Sequence, residues 1–300
     1  MQQLVDIRSR MSTVDTIGSV CGTLATVASA KLSRARERAL ATRVYTEAVR
    51  QVVGRQLIAA HEQGVEPSDI SPLFAERPVA RVLLLVVGTD QGLCGGYNLE
   101  LDATARDFVS ERTEAGQEVR LLVKGERTLR IMRRQSGVAA VNAGGWPKAG
   151  VTEEGVDIVF DATLQAFTNG EADEVWVCYA AFLSTVERKF QTLRLLPIKE
   201  PVLETHDVMR YFYEPSRDAP LQELLALLAR LQVEDAMLEA FASEQAARMV
   251  TMQEATERAD KTLADLRIRY NRVRREGIMA DLMGVVVSRH LRSERENVTA

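Results

Sequence analysis

Aromatic residues make up only 5% of this 300-residue chain, and cysteine occurs three times, at Cys21, Cys94 and Cys178. An odd number of widely scattered cysteines suggests neither a disulfide framework nor a thiolate metal cage, so reduced thiols are expected. Positive charge is not in excess either. Against 42 Asp and Glu stand 38 Lys and Arg, a net charge of −4, which argues against a general nucleic-acid binder. No apolar run approaches the roughly 20 residues that a membrane span requires. The N-terminus also lacks the charged and apolar blocks of a signal peptide, so a soluble chain that stays in the cytoplasm is expected. Proline is scarce and confined: none precedes Pro67 and none follows Pro220. Both ends are therefore open to long uninterrupted helices. An apolar share of 46% suffices for a real core, in one large domain or two small ones.

From Leu221 to about Ser288, apolar or small residues recur at alternating three- and four-residue steps. Leu228, Leu231, Leu238, Ala242, Met249, Met252, Ala259, Leu263, Leu266, Tyr270 and Val273 share one heptad frame, a seam that another helix must cover. Such a helix would be roughly 100 Å long, more than a compact domain of this size spans. The other end of the chain supplies the cover. Ile7, Met11, Val14, Gly18, Cys21, Ala25, Ala28, Leu32 and Ala35 keep the same spacing. Their small side chains would let two antiparallel backbones approach closely.

Between these ends, strand and helix patterns alternate. Gly64 and Pro67 should stop the first helix. Arg81 to Val87, Val119 to Val123, Val175 to Ala181 and Arg188 to Ile198 read as strands. Asn98 to Arg112, Glu126 to Gln135 and Gly155 to Phe167 read as helices. Pro215, Ser216, Asp218 and Pro220 break the chain ahead of the last helix. The expected fold class is α/β: a long antiparallel coiled coil of the terminal helices, with a small open Rossmann-like α/β domain inserted between them. Residues 1–64 form the first shaft helix, 78–215 the α/β domain, 218–290 the second shaft helix and 291–300 a charged tail expected to fray.

The most tempting chemical motif is the turn at Gly92, Leu93, Cys94, Gly95 and Gly96, between a strand and a helix. Such a turn can present N–H groups to a phosphate. Its spacing is neither Gly-x-Gly-x-x-Gly nor a P-loop, and no Lys-Ser/Thr pair follows, so close strand-to-helix packing is the simpler reading. Cys94 sits near a helix N-terminus, where its thiol could be activated, but no base accompanies it. His61, His206 and His290 lie far apart in sequence, with no neighbour at metal-ligand or catalytic spacing. No catalytic residue, cofactor or metal is expected. Charge is more informative. Lys31, Arg34, Arg36, Arg38 and Arg43 crowd the first helix, and Arg258, Lys261, Arg267, Arg269, Arg272, Arg274 and Arg275 crowd the last. Either they form a solvated exterior or they meet acidic protein surfaces.

Ala242-Ser243-Glu244-Gln245-Ala246-Ala247-Arg248-Met249, followed by Met252, Ala255-Thr256 and Tyr270-Asn271-Arg272-Val273-Arg274, closely resembles the C-terminal helix of the gamma subunit of F-type ATP synthases. The turn Asp90 to Asn98 is similar to that family's central motif. Ile7 to Met11 and Ala28 to Leu32 match its first helix, and Tyr213 to Ser216 matches the approach to its last. The resemblance implies a rotor without catalytic residues of its own. The two terminal helices would form a shaft inside a ring of alpha and beta subunits, and the α/β domain would stand beside the epsilon subunit and the membrane c-ring, on the cytoplasmic face of a bacterial inner membrane. Lys31, Arg34, Arg248, Arg267, Asn271, Arg274, Arg275 and Ile278 would be the shaft residues that meet the ring. Departures from the family pattern are Gln91 for a usual Arg, Arg275 for a Gln, Met279 for a Thr, and no lysine from Ser19 to Ala25. They point to a divergent branch, such as the alternative complexes that pump sodium ions. The coupling ion, proton or sodium, stays open. A nucleotide-binding α/β enzyme and a general coiled-coil scaffold are the other two classes, to be separated from a rotor by nucleotide binding and by co-purifying partners.

Overall fold

A computed structural model describes residues 2–61, 64–135, 138–199 and 218–298 of the chain. Two helices bracket it: α1 spans Gln2–His61, 60 residues, and α6 spans Asp218–Val298, 81 residues. Gly64 ends α1 as expected. Its φ of 71° is the left-handed conformation that glycine adopts without strain, and the Val65 N–H returns to the Ala60 carbonyl at 3.1 Å. The Tyr213 to Ser216 stretch lies outside the described residues.

Between them come α2 (Pro67–Ile70), a 3-10 turn (Pro72–Phe74), β1 (Arg81–Val87), α3 (Tyr97–Glu114), β2 (Glu118–Lys124), α4 (Glu126–Gln135), β3 (Ala140–Asn142), α5 (Glu153–Thr168), β4 (Glu174–Phe182) and β5 (Arg188–Leu196). The strands form one sheet in the order β3-β2-β1-β4-β5, with β5 antiparallel to β4 and the other pairings parallel. Among the strands of the described residues, β3 alone escapes the sequence pattern. Its three residues pair with Leu121, Leu122 and Val123, too short a run for alternation to show.

Residues 27–250 form one compact unit, and residues 1–26 with 251–300 form another. In the larger unit, the period-two alternation of β1 sorts side chains onto two faces. Leu84 and Val86 pack with Leu101 of α3 and Leu129 and Met132 of α4. Leu85 and Val87 turn the other way, into a core with Val156, Val159 and Phe167 of α5, with Val49, Val53 and Leu57 of α1, and with Leu221 to Ala246 of α6. The sheet is therefore covered by α3 and α4 on one face, and by α5 and the two long helices on the other.

In the smaller unit the terminal helices run antiparallel. A Cβ added at Gly18 would lie 3.2 Å from Ala259 Cβ, and one at Gly22 would lie 3.9 Å from Thr256 Oγ1. The partner number falls as the first number rises. Gly18 and Ala25 are buried and Met11, Val14 and Cys21 half-buried; opposite them Met252, Ala259 and Leu263 are buried and Leu266, Tyr270 and Val273 half-buried. From Arg274 to Val287 every side chain is exposed. The backbone stays helical through Val298. Arg292 to Glu296 contains no Gly or Pro to end the helix.

Candidate functional site

The glycine turn follows β1, and its first glycine is dictated by packing. A Cβ on Gly88 would lie 2.0 Å from Thr128 Oγ1, so only glycine lets the strand end meet α4. The Thr89 N–H donates to that Thr128 hydroxyl at 2.8 Å, and the hydroxyl donates to Asn98 Oδ1 at 3.1 Å. Asp90 then closes the first turn of α4. Its Oδ1 accepts from the Glu126 N–H at 2.9 Å and its Oδ2 from the Trp146 N–H at 2.7 Å. A carboxylate of the chain itself thus occupies the helix N-terminus where an anion would bind.

Beyond Asp90 the turn presents carbonyls. Arg248 of α6 donates from Nε and Nη2 to the Gly92 carbonyl at 3.3 and 3.2 Å. Its Nη2 also meets Glu244 at 2.5 Å. Carbonyl oxygens held by a guanidinium are the opposite polarity from a phosphate cradle. Cys94 is 1% exposed, and burial, ahead of any neighbouring charge, pushes its thiol above the usual range. Burial thus joins the missing base in speaking against an activated nucleophile. Leu93 takes a φ of 64° and is exposed, while Gly95 and Gly96 lead into α3.

The turn is one of three clamps on α6. The Tyr97 hydroxyl, on a fully buried ring, donates to the Ala240 carbonyl at 3.2 Å, and the Ser243 hydroxyl donates to the Ala180 carbonyl at 3.0 Å. From Ala236 to Arg248 every residue of α6 is buried, so helix positions that a two-helix coil would leave wet face protein instead. Glu234, Glu239 and Glu244 are carried inside with them. Glu234 meets Arg38 at 2.5 Å and Arg230 at 3.4 Å; Glu239 meets Arg43, which also lies 3.9 Å from Asp235. Burial raises the carboxyls of Asp235, Glu239 and Glu244 above their ordinary values, and the paired arginines oppose the rise.

These pairs bear on two expectations about the basic residues. Arg38 and Arg43 do face acidic protein, but the carboxylates belong to the same chain. Arg248, expected to meet a ring, has a side chain only 10% exposed and spends its donors on Glu244 and the glycine turn. The signal for this ladder was present as glutamates recurring every five residues through an otherwise apolar stretch. The remaining shaft residues are placed differently. Lys31 is half-buried and Arg34 exposed, beside a groove of about 160 Å³ that Arg38, Lys148 and Phe241 also line. Arg267, Asn271, Arg274, Arg275 and Ile278 are all exposed. Ala28 and Leu32 are buried and Met249 half-buried in the larger unit. Among the described residues no group of His, Cys, Asp and Glu is arranged to hold a metal.

Known proteins share this plan. The ATP synthase family matches residues 3–289. The ATP synthase gamma chain of Geotalea daltonii is 30% identical over 95% of this chain and 97% of its own length. That of an Anaeromyxobacter species is 32% identical over 95% of this chain and 98% of its own. Among solved structures, a chain from the central stalk and c-ring of the Tetrahymena thermophila mitochondrial ATP synthase superposes with a TM-score of 0.56 at 18% identity. It covers 79% of this chain and 99% of its own. One from the Euglena gracilis mitochondrial enzyme gives 0.52 at 14%, covering 89% and 94%. The structural likeness establishes the fold, and the sequence match across nearly the whole length establishes descent: the chain belongs to the ATP synthase gamma chain family.

Proposed function

We propose that this chain is the central rotor shaft of an F-type ATP synthase, a non-catalytic subunit that carries rotation of a membrane c-ring to the nucleotide sites of an alpha and beta ring. The observation that carries the reading is the clamped segment of α6. A shaft that transmits torque must be fixed to the body that receives it, and hydrogen bonds from Tyr97, Ser243 and Arg248 tie α6 to the α/β unit at three places. The antiparallel seam stiffens the terminal helices. An asymmetric shaft turning in the ring would favour open and closed beta subunits in turn, which is differential binding between two states.

Residues 1–64 and 218–290 serve as shaft helices and 78–215 as the foot, beside an epsilon subunit and a c-ring. Lys31, Arg34, Arg267, Asn271, Arg274, Arg275 and Ile278 supply ring contacts. The phosphoryl chemistry belongs to the ring and not to this chain. The coupled ion is a proton or sodium, and the site of action is the cytoplasmic face of a bacterial membrane. Among the described residues no helix is long and apolar enough to cross one.

The test is co-expression with alpha and beta subunits from the same organism, with a bead attached to the foot at Glu171. ATP-driven rotation of the bead is expected, with no ATP hydrolysis by the pure chain. Hydrolysis by the pure chain, or ring turnover that leaves the bead still, would overturn the reading.

A further inference from the structure

Helix α4 carries Arg127, Arg130, Arg133 and Arg134 against one carboxylate, Glu126. Its apolar side is committed inward: Thr128, Leu129 and Met132 are at most 3% exposed. All four arginines are exposed. Arg127, Arg130 and Arg134, spaced at three and seven residues, fall on one face. With half-buried Ile131 they line a groove of about 230 Å³.

Among the described residues no carboxylate lies within ion-pair distance of any of these guanidiniums, whereas Arg106, Arg112, Arg120, Arg188 and Arg194 of the same unit all have one. Glu126 is turned to Asn142, whose Nδ2 donates to it at 3.3 Å. The Arg127 guanidinium lies beside the glycine turn, 3.2 Å from where a Gly92 Cβ would stand. Like charges at this spacing destabilise a helix. Within the row, Arg130 Nε reaches the Glu126 carbonyl at 3.4 Å, a neutral acceptor that leaves the charge uncompensated.

We propose that the arginine row of α4 is a docking surface for an acidic segment of a partner protein. The row extends about 10 Å along the helix axis. A single phosphate reaches one or two of its guanidiniums, while carboxylates repeating along a helix or strand reach all three. Ile131 adds an apolar floor that a peptide covers and an inorganic ion does not. No aromatic side chain lines the groove to stack a base. Membrane insertion would need α4's apolar side, which is already in the core. The surface is separate from the ring-contact residues of the shaft.

The test is photo-crosslinking in the complex purified from its own cells, with a benzoylphenylalanine at Arg133, on the flank of the row. The crosslink should map to a protein segment with at least three carboxylates in about two helical turns. Its yield should fall about tenfold in the variant Arg127→Ala, Arg130→Ala, Arg134→Ala, and similarly in about 1 M salt, where screening is nearly complete. Arg130→Glu should abolish it, and Glu→Lys in the mapped segment should restore it. The triple variant should keep its melting temperature, since all three side chains are solvated. A crosslink to lipid, to a segment without carboxylates, or to nothing overturns the proposal, as does a yield unchanged by the triple substitution. The crosslink reads contact directly, so its outcome does not depend on whether the chain turns.

Discussion

Two stretches of α6 invert the usual relation between polarity and burial. From Ala236 to Arg248 the helix is buried on all sides although it contains Glu239, Glu244 and Arg248. From Ile278 to Val287 it is exposed on all sides although Ile278, Met279, Leu282, Met283, Val285, Val286 and Val287 are apolar, each between 48% and 61% exposed. The first stretch is surrounded by elements of its own chain, and its charges are tolerable because each meets an opposite charge or a carbonyl. Among the described residues nothing encloses the second stretch in this way. An apolar surface this extensive marks a contact with another molecule.

The contrast can be broken hardest at Arg248. Arg248→Ala would leave Glu244 buried without its partner and should cost the chain about 3–5 kcal/mol, read as a drop in thermal or denaturant stability. Arg275→Ala, on the exposed part of the same helix, should stay within about 0.5 kcal/mol. Equal losses would mean that the clamp is not structural.

Overpacking the seam should cost less. Ala28 is 1% exposed, so Ala28→Trp should destabilise by about 1–3 kcal/mol and impair coupling in the assembled enzyme. Normal stability would show that the buried side of α1 is wrongly assigned.

The carboxylate ladder gives a pH signature. The Glu239 carboxyl is raised above its ordinary 4.5, chiefly by burial, so the folded chain binds its proton more tightly than the unfolded chain does. Its contribution is fully present below pH 4.5 and is lost as pH rises toward the raised value. Glu239→Gln should therefore flatten that part of the stability curve relative to wild type, in parallel urea titrations across the acid range. An unchanged slope would mean that the carboxyl stays solvated.

The exposed stretch should respond in assembly and barely in stability. Replacing Arg274 and Arg275 with alanine should lower the alpha and beta subunits retained on purification while leaving the melting temperature of the chain within a degree or two. Deleting residues after Ser288 should have the smallest effect, with assembly and coupled turnover close to wild type. A cut before Ile278 should weaken the upper contact.

Much of the fold was legible in the sequence because it depends on local periodicity. The heptad positions Met11, Val14, Ala25, Ala28 and Leu32 are all more protected than the residues beside them, since a repeat near 3.6 puts those side chains on one face wherever the helix lies. β1 was readable from its branched apolar run, and the end of α1 from Gly64. The turn at Gly92 was recognisable as a motif, and its packing role was the simpler of two readings.

What the sequence by itself determined is therefore most of the long elements, the seam that pairs the two ends, and the family. Only the tertiary structure decided that Arg38, Arg43 and Arg248 are spent inside the chain while Arg127, Arg130, Arg274 and Arg275 remain outside. A guanidinium looks the same in sequence whether it faces water or a buried carboxylate. Its role depends on which distant segment is folded against it, as Glu234 is against Arg38 across 196 positions of chain, and local periodicity carries no information at that range.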